Sequence, residues 1–208
     1  MPRRWLAAVA AALTLGAATL ALAQAPTPAP SGKAVAIFAG GCFWCMEPPF
    51  DKIDGVTATI SGYTGGHKSM PTYEQVTAGR TGHIEAVKVE YDPAKVTYAK
   101  LLEVFWRNID PLDDKGQFCD KGESYLSAIF PVDEAQRKVA EASLEALVAA
   151  KTLPGKIVTR ILPAATFWPA EEYHQDYYLK NPNRYQYYRW SCGRDARLKK
   201  LWGEPAAK

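Results

Sequence analysis

Two neighbouring cysteines carry the first chemical signal in the sequence. Cys42 and Cys45 follow Gly40 and Gly41, and the glycines close a short apolar run at residues 35–39. This order predicts a strand, a turn and then a helix whose first turn holds Cys42. Unpaired backbone N–H groups at the start of a helix lower the pKa of a thiol. Cys42 is therefore the predicted nucleophile.

Structural roles are the plainer interpretation of the cysteines. The chain contains four cysteines, and an even number in an oxidising compartment is typical of structural disulfides. A four-cysteine zinc site would need a second close pair, but Cys119 and Cys192 lie far apart in the sequence. A chain of this size can build a core without disulfides, so reactive cysteine chemistry stays open beside these alternatives.

Glu85 is the second distinctive residue. Residues 83–91 alternate as a strand does, and this pattern places Glu85 on the more apolar side with Val87, Val89 and Tyr91. Burial disfavours the charged form of a carboxyl, so we expect a raised pKa for Glu85 and a proton that it can donate. A salt-bridged or edge-exposed Glu85 is the alternative.

Other side chains allow further functions for Cys42. Phe43 and Trp44 follow it directly and could form an aromatic wall beside the thiol, although each taken singly is typical of a core. His83 or His174 could supply the base of a cysteine hydrolase. An exported binding module with two structural disulfides is the non-enzymatic alternative.

Alternating strands and helices must position these residues. Strands are predicted at residues 35–39, 57–63, 83–91, 125–130 and 156–162, and helices at 42–47, 71–78, 97–109, 133–151 and 170–179. Pro48 and Pro49 require the first helix to be short, kinked or restarted. Residues 110–123 predict a long loop, and an aromatic and basic tail follows Pro182. The pattern predicts a sheet domain of the α+β or α/β class.

The first residues have the composition of a targeting segment. Arg3 and Arg4 precede an uncharged run rich in Ala and Leu at residues 5–23, and a Pro-rich stretch follows. We expect a cleaved signal peptide at 1–23 rather than a retained anchor, a linker at 24–32 and one domain at 33–208. The protein is thus expected to be periplasmic or secreted. A formal net charge of only +3 gives no electrostatic case for nucleic-acid binding.

The residues also carry a resemblance to a known family. The sequence is similar to peptide methionine sulfoxide reductase A, in colinear order over nearly all of the predicted domain. The matching segments include residues 41–44 (GCFW), 61–66 (SGYTGG), 71–76 (PTYEQV), 79–87 (GRTGHIEAV), 91–93 (YDP), 120–125 (DKGESY) and 170–175 (AEEYHQ). The resemblance implies an α+β fold, a two-layer α/β sandwich with a mixed sheet and a ferredoxin-like core. It also implies a thiol-dependent reductase of the S epimer of methionine sulfoxide, free or in proteins.

The resemblance assigns roles to individual residues. Cys42 falls on the nucleophile that attacks the sulfoxide sulfur, and Glu85 on the acid that protonates the sulfoxide oxygen. The remaining roles are the methyl-binding pocket (Phe43 and Trp44), the tyrosines that hydrogen-bond the oxygen (Tyr73 and Tyr125) and a carboxylate that orients the substrate (Asp120). No bound cofactor and a monomer are expected.

Recycling needs a second thiol, because attack on the sulfoxide leaves Cys42 as a sulfenic acid. The resemblance favours Cys192 in the tail as the thiol that condenses with it, while Cys45 and Cys119 remain alternatives. Thioredoxin, a thioredoxin-like partner or dithiothreitol would then reduce the disulfide. Cys45 stands where many relatives have Gly, and Ile109 and Leu126 also depart from the family pattern, which leaves the recycling route open.

Overall fold

The computed structural model describes Met1 and residues 32–203. The predicted signal peptide, Met1 apart, and nearly all of the predicted linker lie outside the described residues. Within residues 32–203, no helix combines the length and hydrophobicity needed to cross a bilayer.

The described residues contain eight strands and seven α-helices. The strands are β1 (Ala34–Gly40), β2 (Val56–Thr64), β3 (Ile84–Tyr91), β4 (Gly116–Gln117), β5 (Asp120–Lys121), β6 (Ser127–Ile129), β7 (Arg160–Ile161) and β8 (Trp168–Pro169). The helices are α1 (Phe43–Asp51), α2 (Tyr73–Thr77), α3 (Tyr98–Arg107), α4 (Glu134–Ala150), α5 (Tyr177–Lys180), α6 (Pro182–Ser191) and α7 (Arg194–Trp202).

Six of the strands form one mixed sheet in the order β7-β6-β1-β3-β2-β8. The pairings are antiparallel except for the parallel pair of β6 and β7. The predicted α+β class with a mixed sheet is confirmed. The central strand β3 holds Glu85 opposite Tyr63 of β2, and both side chains are almost fully buried.

The two faces of the sheet bury different sets of side chains. Phe38, Val87 and Val89 pack with Phe50 of α1 and Leu101 of α3 in the larger cluster. The other face buries a smaller cluster formed by Ile37, Ala39, Ile84, Ala86, Ala128 and Phe130. The alternation along residues 83–91 is therefore as predicted, and it turns Glu85 toward the helices.

The turn from β1 into α1 depends on glycine. Gly41 has φ +77°, and a Cβ at this position would lie 2.5 Å from Cβ of Gln117. Both the backbone conformation and the close approach exclude larger side chains. The helix α1 then runs through Pro48 and Pro49 and ends after nine residues, so it is short, as the prolines require.

Three predicted elements were wrong in detail. The predicted loop at residues 110–123 contains the hairpin of β4 and β5, and the strand predicted at 156–162 is shortened to Arg160–Ile161. The predicted helix at 170–179 is broken, because the side-chain amide of Gln175 bonds the backbone N–H and C=O of Ser61 on β2 at 2.9 Å each. Asp176 then adopts φ +52° before α5 begins.

Candidate active site

A small cavity of about 70 Å³ gathers most of the predicted site residues. It is lined by Cys42, Phe43, Trp44, Tyr73, Glu85, Asp120, Tyr125 and Tyr188. Seven of these lining residues were predicted from the sequence. Tyr188 was not predicted, and Cys192, which was, does not line the cavity. The lining combines a thiol, two carboxyls and several aromatic rings, which suits a small substrate with one polar and one apolar end.

Cys42 occupies the N-cap position of α1 and is buried. The prediction of a lowered thiol pKa was wrong for this residue. Burial raises the pKa of Cys42 well above its ordinary value, and the adjacent Cys45 and Glu85 raise it further. The physical reason is burial, which removes the water that would solvate a thiolate, and the first N–H of the helix, that of Phe43, donates to Glu85.

Cys45 lies one helical turn further along α1 and is also a buried free thiol. A hydrogen bond with Cys42 lowers the pKa of Cys45 to about 6, and the nearby Arg194 and Arg189 act in the same direction. Of the two thiols, Cys45 is therefore the one that ionises first. The predicted alternative of a disulfide between them is not what the structure shows.

Glu85 is the buried carboxyl of the cavity and is only 1% exposed. Its Oε2 accepts a hydrogen bond from the N–H of Phe43 at 3.1 Å. Burial raises the pKa of Glu85 to about 8, and this hydrogen bond opposes the rise only in part. At neutral pH the carboxyl is protonated, with Oε1 available to carry a proton into the cavity.

Tyr73 and Tyr125 come from different elements and meet at the cavity. Tyr73 is the first residue of α2, and Tyr125 ends a short 3₁₀ helix at Glu123–Tyr125. Burial raises the pKa of Tyr73 to about 12 and raises the pKa of Tyr125 as well. Both phenols are therefore neutral hydrogen-bond donors at physiological pH.

The aromatic wall is held in place by a histidine. The indole Nε1–H of Trp44 donates to Nδ1 of His174 at 3.0 Å, and the His174 ring lies 5.0 Å from the Phe43 ring. Trp44 also stacks on Tyr177 at 3.7 Å between ring centroids. Phe43 and Trp44 thus present an apolar surface of fixed orientation beside Cys42.

The remaining two cysteines form a disulfide beside the cavity. Cys119, which is exposed, is bonded to Cys192, and their Cα atoms are 5.0 Å apart. Asp120 lies between this disulfide and the cavity, with its Oδ1 3.7 Å from Sγ of Cys119 and its Oδ2 3.9 Å from Sγ of Cys192. Within the described residues, these three side chains are the one cluster with metal-ligand spacing. The closed disulfide removes the thiolates that a soft metal would need.

The histidine that a cysteine hydrolase requires is engaged elsewhere. His83 uses Nδ1 to accept from the N–H of Gly66 and Nε2 to bond the carbonyl of Lys68. His174 accepts from Trp44. Neither ring is hydrogen-bonded to Cys42 in the described part of the chain. The arrangement thus lacks the thiol and imidazole pair of such an enzyme.

Sequence reasoning missed two residues from the tail. Tyr188 donates a hydrogen bond to Asp120 and reaches the cavity. Arg194 is 1% exposed and donates to the carbonyls of Gly40 (3.1 Å) and Asn108 (2.7 Å). Tyr188 lies one helical turn before the conspicuous Cys192, and this spacing was the available signal.

Comparison with known proteins gives a consistent result. Residues 34–206 match the family described as peptide methionine sulfoxide reductase. Peptide methionine sulfoxide reductase MsrA 2 of Caulobacter vibrioides is 54% identical over 194 residues, covering 92% of this chain and 97% of that protein. Two solved structures are also similar. Methionine sulfoxide reductase A of Corynebacterium diphtheriae has 34% identity and a TM-score of 0.65, covering 76% of this chain and 77% of that chain. Reduced Mxr1 of Saccharomyces cerevisiae has 31% identity and a TM-score of 0.66, covering 74% of this chain and 91% of that chain.

Proposed function

We infer the reaction from one premise: the chain belongs to the peptide methionine sulfoxide reductase family. It is a thiol-dependent oxidoreductase that converts the S epimer of methionine sulfoxide to methionine. The observation that carries the reaction is the neutral Glu85 carboxyl, which lines the same cavity as the Cys42 thiol. A sulfoxide oxygen leaves only after it is protonated, and this pair supplies both the proton and the nucleophile.

We propose that the two ends of the substrate contact different lining residues of the cavity. In this proposal the methyl group lies against Phe43 and Trp44, while the sulfoxide oxygen faces Glu85 and the hydroxyls of Tyr73 and Tyr125, all of which line the cavity. As Glu85 gives up its proton, the thiolate of Cys42 attacks the sulfur. Methionine leaves and Cys42 becomes a sulfenic acid, so the cysteine sulfur is oxidised by the two electrons that the substrate gains.

Recycling runs through the Cys119–Cys192 pair. We propose that the Cys192 thiol condenses with the Cys42 sulfenic acid, which releases water and forms a disulfide between them. Cys119 then attacks the Cys192 sulfur, frees Cys42 and leaves the disulfide that the structure shows. Cys119 is exposed, so a thioredoxin-like dithiol can reach and reduce this disulfide without entering the cavity.

Methionine yield without external reductant tests this route. The fully reduced chain is expected to release about two equivalents of methionine, because transfer of the disulfide to Cys119 and Cys192 restores the Cys42 thiol for a second attack. Cys192→Ser and Cys119→Ser should each stop near one equivalent. Rapid-quench measurement of methionine per chain checks the yields. Two equivalents from Cys192→Ser would contradict the route, because the second turnover would then need a disulfide exchange that does not involve Cys192.

Turnover of separated sulfoxide epimers tests the function itself. With dithiothreitol, the chain is expected to convert the S epimer of a blocked methionine sulfoxide and to leave the R epimer unchanged. An ester substrate serves as the control for the hydrolase alternative, and we expect no cleavage that depends on Cys42. Equal conversion of both epimers, or ester cleavage without any use of reductant, would overturn the assignment.

The cellular location and oligomeric state of the enzyme are a separate proposal. We propose a periplasmic or secreted, monomeric enzyme that acts on oxidised proteins. Arg3, Arg4 and the apolar run at residues 5–23 support export. Sequencing the N-terminus of the exported protein tests this proposal. If residues 5–23 are still present, the segment is a membrane anchor rather than a cleaved signal peptide.

A further inference from the structure

Cys119, Asp120 and Cys192 form a second cluster of reactive side chains beside the cavity. Among the residues that the structure describes, this is the cluster whose possible ligand atoms all lie within 4.8 Å of one another. Cys119 lies at the tip of the hairpin of β4 and β5, and Asp120 is the first residue of β5. Cys192 caps the end of α6. Two separate elements therefore bring two sulfurs and a carboxylate together.

The spacing of this cluster fits a tetrahedral zinc site. Zinc binds cysteine sulfur at about 2.3 Å and carboxylate oxygen at about 2.1 Å, which places neighbouring sulfur and oxygen ligands about 3.6 Å apart. Here Oδ1 of Asp120 lies 3.7 Å from Sγ of Cys119, and Oδ2 lies 3.9 Å from Sγ of Cys192. The carboxylate thus already lies at the distance from both sulfurs that a shared metal ion would set.

The disulfide keeps this site closed, and reduction opens it. A disulfide sulfur carries no charge and is a poor ligand, whereas cysteine thiolates are preferred ligands of zinc. Reduction converts the Cys119–Cys192 disulfide to two thiols, and each thiol loses its proton when the metal binds. Cys119 is exposed, so the ion can enter from solvent and keep a water molecule as its fourth ligand.

Two further residues support a metal ion at this point. Tyr188 donates to Oδ2 of Asp120, an outer hydrogen bond that orients the carboxylate and leaves Oδ1 to the metal. Arg194 is only 1% exposed, and its Nε has no hydrogen-bond partner in the described part of the chain. Its guanidinium lies 4.4 Å from the ring of Phe118, the neighbour of Cys119. A divalent ion with two thiolates and one carboxylate carries a net negative charge, which this buried cation offsets.

We propose that reduction of the Cys119–Cys192 disulfide creates a zinc site with Cys119, Asp120 and Cys192 as its protein ligands. Zn²⁺ enters, the two thiols release two protons, and no electron is transferred. The metal retains the Cys192 thiolate as a ligand, so this sulfur cannot condense with the sulfenic acid of Cys42. The effect on turnover rests on the proposed function, whereas the site itself does not depend on it.

Metal binding by the purified protein tests the site without any sulfoxide. The protein is reduced, freed of reductant under argon and titrated with Co²⁺, whose charge-transfer absorption reports thiolate ligands, and Zn²⁺ is then added to displace it. We expect one Co²⁺ per reduced chain and none for the chain with its disulfide closed. Equal binding by the closed and the reduced chain, or no binding by the folded reduced chain, would refute the site.

Matched variants show which pair of thiols holds the metal. Cys119→Ser removes a ligand at an exposed turn and should abolish the stoichiometric binding, whereas Cys45→Ser alters the other thiol pair and should retain it. Asp120→Asn, which replaces the third ligand, should weaken the binding of Zn²⁺. Tyr188→Phe should weaken it by about tenfold through loss of the outer hydrogen bond. Binding that is lost in Cys45→Ser but kept in Cys119→Ser would assign the metal to the other pair and overturn the proposal.

The effect of zinc on recycling is a separate measurement. The reduced chain loaded with one equivalent of Zn²⁺ should release about one equivalent of methionine from the S epimer instead of two, and a chelator should restore the second. Two equivalents from the zinc-loaded chain would contradict the proposed block. A chain that binds zinc but forms no methionine even without the metal would contradict the proposed function and leave the site in place.

Discussion

Replacing Glu85 by glutamine is expected to lower the single-turnover rate of methionine formation by about 10²- to 10⁴-fold, the usual contribution of a general acid. Glutamine keeps an oxygen that can accept from the Phe43 N–H, so the start of α1 should stay in place. Only the proton for the sulfoxide oxygen is lost. Rapid-quench measurement of methionine with the S epimer checks the rate, and an unchanged rate would exclude Glu85 as the acid.

Glu47→Gln is the matched control for this variant. Glu47 is also fully buried, and burial raises its pKa to about 7. Its Oε1 accepts from the hydroxyl of Ser61 at 2.8 Å, and Glu47 does not line the cavity. If a raised pKa alone made a catalytic acid, both variants would lose activity. We expect Glu47→Gln to retain the wild-type rate, because Glu85 lines the cavity and Glu47 does not.

Stability measurements on Glu85→Gln distinguish the loss of a catalytic acid from a loss of folded protein. The pKa of Glu85 in the folded chain, about 8, lies above the ordinary value of 4.5. The stability gained from keeping this carboxyl neutral is fully present below pH 4.5 and is lost as the pH rises through about 8. Glu85→Gln carries no such proton, so urea unfolding should show a smaller decline for this variant than for the wild type between pH 5 and pH 8. A decline for Glu85→Gln as large as that of the wild type would contradict this account of the burial.

Replacing Cys42 by serine is expected to abolish methionine formation altogether, below one equivalent per chain. A serine hydroxyl is not ionised at neutral pH and cannot take part in the disulfide exchange that recycles the enzyme. Losses for a covalent nucleophile are typically about 10⁴-fold or more. Cys45→Ser, in the same motif, is the control and should still release at least one equivalent. Undiminished activity in Cys42→Ser would sink the assignment of the nucleophile.

Local patterns predicted the parts of the site that depend on local structure. The alternation along residues 83–91 placed Glu85 on the buried face, and the glycine pair ahead of Cys42 placed it at a helix start. Neither result needed knowledge of distant residues, because strand alternation and glycine turns are properties of a few neighbouring positions.

Contacts between distant segments were not predictable in the same way. The pKa of Cys42 moves upward mainly because the site is closed to water, and also because Cys45 and Glu85, the latter from another strand, lie beside the thiol. The disulfide joins Cys119 and Cys192 across 73 residues, and no spacing rule selects that pair. The tail had no clear periodicity, so the sequence did not show that its helix would bring Tyr188 into the cavity.

The most direct test of the central claim is to locate the oxygen that leaves the substrate. The Cys192→Ser variant, fully reduced and freed of reductant, is mixed with one equivalent of the S epimer and then with dimedone, which traps sulfenic acids. We expect one dimedone adduct on Cys42 for each methionine released, and no adduct with the R epimer. Stoichiometric methionine with Cys42 unmodified, or an adduct confined to Cys45 or Cys119, would contradict the account.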